Sequence, residues 1–287
     1  MPIRIVTDSA CDLPPEIIAQ NNVTVIPLLI NITSKEFQDG VDLSRREFYQ
    51  QLPAIKPAPT TAAPGLQVFR QIYERLAAEG ATQILSLHLS GTLSAVVNVA
   101  RAAAQEVTAV PITVFDSRQL SLGLGFQVLT AAQATTAGLA IPAILKLLKE
   151  QITRTHVFAA LDTLEYLRRS GRVNLAVSTL GSLLHVKPFI KLYDGVTTPE
   201  HVRTRKSAYK RLAELLEQYA PYEKVALLHI NAAGQAKALL EQVRSLLPPG
   251  EIWLEEVNPI IGVHLGPGAL GFACISQNSS KEKLALS

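Results

Sequence analysis

The chain has 287 residues, 48% of them hydrophobic and 18% charged, with a formal net charge of +3. That is enough apolar material for two compact cores and too little charge for a disordered chain. Two cysteines, Cys11 and Cys274, stand near opposite ends, so neither a disulfide framework nor a thiolate metal site is expected. The most apolar stretch, residues 128–148, is interrupted by Gln133, Thr135, Thr136, Pro142 and Lys146. It does not read as a membrane span, and no signal peptide is evident; the expectation is a cytoplasmic protein without stable membrane insertion.

In chain order, Ile3–Thr7 reads as a strand, and Asp12-Leu-Pro-Pro opens a helix with proline in its first turn. Val23–Ile32 is β-branched and strand-like. Ser44 is placed to cap a helix through Leu52, with Glu47 three residues on as its capping-box partner. Pro53–Pro64 reads as a loop, residues 66–79 as a helix stopped by Gly80. Then come a strand at Thr82–Leu87, a helix over 93–106, a strand at Ile112–Phe115, and two helices divided near Gly138 and Pro142. From Val157–Leu161 the alternation resumes with a helix, a hairpin around Asp194-Gly195, helix 204–219, strand 224–230, helix 234–247, strand 251–257 and a strand near 269–276. Strands separated by helices argue for a parallel sheet with helices on both faces. The expected fold class is α/β in two lobes: a Rossmann-like parallel-sheet lobe over residues 1–155 and a second α/β lobe over 156–287, packed closely enough to hold a ligand between them.

Charge is unevenly spread. Residues 1–155 balance twelve basic against twelve acidic side chains, whereas 168–211 carry ten basic and two acidic ones. Such a face attracts anionic partners. No nucleic-acid motif accompanies it, so no nucleic acid is expected.

Three strand ends finish alike, in Thr7-Asp8-Ser9, in Leu89-Ser90-Gly91-Thr92 and in Asp116-Ser117. The carboxyl ends of parallel strands form the binding rim of an open sheet, and hydroxyls at a helix entry suit a carboxylate or phosphate. Ordinary capping explains any one of them; three on one sheet favour a site. Pro59–Gly65 adds the hydroxyls of Thr60 and Thr61. The formal G-x-G-x-x-G at 266–271 lies too near the C-terminus for a dinucleotide unit and reads instead as a glycine-rich turn beside His264. Two other readings stay open: an acyl hydrolase with Ser90 as nucleophile, His264 as base and Asp116 or Asp8 as orienter, which lacks a nucleophile elbow, and a phosphate-ligand binder at the same helix entries.

Taken together, Ile5-Val-Thr-Asp-Ser-Ala, Leu89-Ser-Gly-Thr, Phe115-Asp-Ser, Leu164-Glu-Tyr-Leu-Arg-Arg-Ser-Gly-Arg, Val186-Lys-Pro with Asp194-Gly195, and Gly262-Val-His-Leu-Gly-Pro-Gly-Ala-Leu-Gly resemble the DegV family over roughly residues 3–276. The resemblance implies a two-domain α/β fold that buries a long-chain (C14–C18) fatty acid and needs no cofactor or metal. It implies that the carboxylate is held by Thr61, Ser90 and His264, with Thr60, Gly91 and Thr92 beside them. It also implies a partner, an ATP-using fatty acid kinase subunit that makes the acyl phosphate, for which Arg172, Arg203 and Arg205 are docking candidates. Two departures stand out: Thr61 is followed by Ala62-Ala63-Pro64 where the family usually has Thr-Ser-Gln-Pro, and its Gly-Gly-Arg motif is Ser170-Gly171-Arg172 here.

Overall fold

The computed structural model describes residues 2–172 and 187–277; Val186 of the Val-Lys-Pro motif lies outside them. The first sheet is parallel, in the order β2 (Val23–Ile26), β1 (Ile3–Asp8), β6 (Gln83–His88), β7 (Ile112–Asp116). The second is a six-stranded mixed sheet in the order β10 (Val196–Val202), β9 (Lys187–Tyr193), β8 (Thr155–Ala160), β13 (Leu270–Ser276), β11 (Tyr222–His229), β12 (Trp253–Glu256). The chain is therefore mixed α/β, with a Rossmann-like parallel sheet followed by a second sheet.

A third, antiparallel sheet is new relative to the sequence reading. The run expected as one strand over Val23–Ile32 divides at Pro27-Leu28. Its first half joins the parallel sheet. Its second half, β3 (Leu29–Ile32), pairs with β4 (Lys35–Gln38) and with β5 (Thr60–Ala62) from the proline-rich segment. Proline lacks the N–H a continuous ladder needs, and a three-residue strand shows no readable period. Ser44 caps α2 (Arg45–Gln51) with the expected capping box.

The apolar helix α5 (Leu122–Thr136) contacts β1 and β6 of one sheet and β8 and β13 of the other. It is buried nearly all round, which is why its sequence carries no polar stripe. No helix among the described residues is long and apolar enough to cross a membrane. The main core runs without a break from Ile5 through α5 to Val157, Leu228 and Ile275. A second cluster lies on the far side of the six-stranded sheet, under α8 (Arg205–Tyr219) and α9 (Ala233–Gln242).

Between the sheets sits α10 (Pro259–Leu265), a helix the sequence reading missed; it carries His264 in its last turn. Asn258 caps it, accepting from Ile261 N–H at 3.0 Å, and Pro259 occupies the first turn. Its start is fixed by a buried polar knot. Tyr49 donates to the carbonyls of Val257 (2.6 Å) and Asn258 (2.9 Å), and Asp12 accepts from Asn258 N–H (2.8 Å) and Ser121 hydroxyl (2.6 Å). Arg45 joins Asp12 at 3.5 Å. Just beyond the helix, Gly266 sits at φ 76° against the Tyr166 ring, where no side chain fits.

Candidate functional site

An elongated cavity of about 350 Å³ lies between the six-stranded sheet and the elements facing it. Its floor is Val157, Ala159, Ile190 and Leu192; its roof is Ile260, Ile261 and Leu265 of α10 with Leu28 and Ala62; its side is Leu89, Leu93 and Leu120. The volume is within the range of small-molecule sites, and the walls are mostly aliphatic. The polar residues among its lining are Thr61, His264, Ser94, Thr197 and Arg172.

Thr61 and His264 are brought together from 203 residues apart, with Thr61 Oγ1 3.1 Å from His264 Nε2. Strand alternation decides between the two threonines: Thr61 lines the cavity, while its neighbour Thr60 is exposed and does not. The other ring nitrogen, His264 Nδ1, is buried with no hydrogen-bond partner among the described residues. Burial, and then the nearby Arg172 charge, push the ring pKa down to about 4. The imidazole is therefore neutral at pH 7, with Nε2 on Thr61 and Nδ1 buried without a partner among the described residues.

The hydroxyl and N–H groups of the Leu89–Thr92 turn are engaged within the fold. Ser90 is fully buried, with its Oγ 2.9 Å from Thr92 Oγ1, and Thr92 in turn donates to the Gly195 carbonyl at 2.8 Å. Gly91 N–H is taken by Asp116, at 3.2 and 3.3 Å from its two oxygens. Ser90, Gly91 and Thr92 thus stitch the parallel sheet to the β9–β10 hairpin, and the cavity wall here is Leu89, Leu93 and Ser94. The helix expected from residue 93, α4, begins at Val96, so its first N–H groups lie a turn later. Ser94, missed in the sequence reading, is one helical turn beyond Ser90. The signal for α10 was legible too: Asn258-Pro259 is a helix start.

The hydrolase constellation is not assembled. Ser90 pairs with Thr92, His264 with Thr61, and Asp8 with a different histidine. Tyr73 donates to Ser86 (2.9 Å), Ser86 lies 2.7 Å from His88 Nε2, and His88 Nδ1 lies 3.0 Å from Asp8. This Ser-His-Asp chain is wholly shut off from solvent. It braces the site instead, because Asp8 also accepts from Leu89 N–H at 3.0 Å.

Part of the basic excess is offset within the fold by acids outside the window where it was counted. Asp162 takes both Lys187 (2.7 Å) and Arg205 (3.1 Å), and Glu165 takes Arg168 (3.3 Å). Within the window, Glu200 takes Lys191 and Arg211, which hold its carboxyl down at about 2. Arg203 and Arg172 remain exposed. Arg172, expected only as a docking residue, lies at the junction of the cavity and an open polar groove formed with Thr92, Asn98 and Gly171.

These features define an α/β protein with a long aliphatic cavity between its sheets and a small polar cluster on its wall, the arrangement for a ligand with one polar head. A family model described as "Uncharacterised protein, DegV family" matches residues 2–277, and the chain belongs to that family. A DegV domain-containing protein of Deinococcus radiodurans is 38% identical over 277 residues, covering 95% of this chain and 98% of its own. Two solved structures superpose over 96% of this chain and 100% of theirs. One is a DegV family protein from Thermus thermophilus described as binding fatty acid (33% identical, TM-score 0.86); the other is DegV from Bacillus subtilis, described as a fatty acid binding protein (31%, TM-score 0.87).

Proposed function

We propose that this protein binds a long-chain fatty acid with its tail in the aliphatic cavity and its carboxylate at Thr61 and His264, and that it presents that carboxylate to a separate ATP-dependent kinase in the cytoplasm. The observation that carries the reading is the Thr61–His264 pair on the wall of an aliphatic cavity. Burying a tail contributes roughly 0.8 kcal/mol per methylene, most of the affinity. Burying a carboxylate costs several kcal/mol unless it is hydrogen-bonded. Thr61 hydroxyl and His264 supply those bonds, and Ser90 exchanges its Thr92 bond for a carboxylate oxygen. Arg172 adds the only formal positive charge on the cavity wall among the described residues.

Presentation to a kinase follows from Arg172, which connects the head-group region to the open groove. A phosphoryl donor approaching there meets the exposed Arg172 guanidinium, and Arg203 and Arg205, the latter paired with Asp162, are docking candidates for the kinase. The protein itself performs no step in this reading: the Thr61–His264 pair binds the carboxylate. The two lobes are proposed to divide near residue 155, with the ligand between them.

The test is native mass spectrometry of the purified protein, then denaturing extraction and lipid analysis. One C14–C18 acid per chain, released only on unfolding, supports the reading. A protein that carries none and takes up neither added palmitate nor oleate refutes it.

A further inference from the structure

We propose that Ser9, just past the end of β1, is a positioning residue for the head group: it ties the strand that carries Thr61 to the helix that carries His264 and so holds that pair in place; this rests on the fatty-acid reading above. Ser9 is not one of the cavity-lining residues and acts through its neighbours.

Thr61 and His264 arrive on separate elements. Thr61 stands on β5, and the β4-β3-β5 sheet shares no strand with either larger sheet. Its attachment lies at Leu28, the residue just before β3. Leu28 N–H donates to Ser9 Oγ at 3.1 Å, and the Leu28 carbonyl accepts from Asp39 N–H at 2.9 Å. Leu28 itself is buried and lines the cavity. The ladder carries its position across, because Ile30, two residues on, pairs with Thr61. His264 stands on α10, whose cap Asn258 donates from Nδ2 to the Ser9 carbonyl at 2.8 Å. One residue thus holds both elements, the first through its hydroxyl and the second through its carbonyl.

The hydroxyl is also fixed in direction. A serine has one O–H to give, and with Leu28 N–H on its oxygen it gives that proton to the Asp39 carboxylate. Asp39 is buried and directly follows β4, so it grips Leu28 by its N–H and Ser9 by its side chain. Leu28, Ser9 and Asp39 close a ring of hydrogen bonds. Removing the hydroxyl leaves a buried N–H and a buried carboxylate without their partner, and the start of β3 must shift to satisfy them.

The test is a double-mutant cycle at pH 8, where Asp39, pushed up to about 7 by burial, is ionised. Ser9→Ala, Thr61→Val and the double variant, each checked for a cooperative melting curve, are titrated with palmitate in competition against a fluorescent fatty acid. Ser9→Ala weakens palmitate binding about tenfold, the worth of one hydrogen bond to a charged group. In the Thr61→Val background the same substitution costs less than about twofold, since the hydroxyl it positions is already gone. In the ligand-free protein the His264 Nε2 resonance, assigned through His264→Gln, moves in Ser9→Ala in the same direction as in Thr61→Val. If Ser9→Ala does not fold, Asp39→Ala decides the matter by the same comparisons, because it frees the Ser9 hydroxyl and leaves the Leu28–Asp39 backbone bond. Wild-type affinity, an equal loss with and without Thr61, or an unmoved His264 resonance overturns the inference and leaves the fatty-acid reading intact. Failure of the wild-type protein to bind any C14–C18 acid overturns both.

Discussion

Replacing Thr61 by valine isolates the head-group hydrogen bond. Valine keeps the branched shape and the strand preference at this position, where residue 61 pairs with Ile30 in β5, so the backbone and the cavity outline are retained. What disappears is one hydroxyl, 3.1 Å from His264 Nε2. A hydrogen bond to a charged group contributes about 1.5–3 kcal/mol, so the dissociation constant for palmitate rises about ten- to 150-fold. The loss falls on the head and not on the tail, so the ratio of affinities between C14 and C18 acids is unchanged. Thr60→Val is the matched control: that side chain is exposed and outside the cavity, and affinity stays within about twofold. Competitive displacement of a fluorescent fatty acid measures all three proteins. Equal affinity in Thr61→Val and wild type, or an equal loss in Thr60→Val, refutes the assignment of the carboxylate to Thr61.

His264→Gln tests the neutral imidazole through acid stability. The folded ring has its pKa near 4, below the ordinary value of 6.5, so the unfolded chain binds more protons between those limits. Stability from this group is present at neutral pH and is lost as pH falls from 6.5 towards 4, by at most about 3 kcal/mol. Asp39, pushed up to about 7 by burial, acts with the opposite sign but is common to both proteins. Between pH 7 and 4.5 the urea midpoint of His264→Gln therefore falls less than that of wild type, and a parallel fall refutes the shift. Tyr49→Phe removes the donor to the Val257 and Asn258 carbonyls and lowers unfolding stability by about 1–2 kcal/mol in urea titration. Arg203→Ala leaves fatty-acid affinity unchanged and slows acyl-phosphate formation at saturating ligand, by a margin that shrinks as salt is raised. Arg172→Ala slows that step and also weakens binding, because this side chain reaches the cavity.

The sequence by itself determined the class of fold and most of its elements, because those depend on local signals. Alternating strands and helices announced a parallel sheet, the Ser44 capping box opened α2 as written, and two helices divided near Gly138 and Pro142 were legible. Thr61 and His264 could be named as partners from family resemblance, yet no spacing rule links residues 203 apart. Tertiary structure decided which hydroxyl faces the cavity. Thr61 and Thr60 are equivalent as letters and differ only through the side of β5 each occupies, which the pairing with β3 fixes. It also decided that Ser90 and Gly91 are tied to Thr92 and Asp116, and that the basic stretch is partly offset by Asp162, Glu165 and Glu200. The cavity was beyond reach for the same reason. It is a space enclosed by residues of β5, β8, β9, β10 and α10, and register between distant strands is set by packing, which no single stretch of chain encodes.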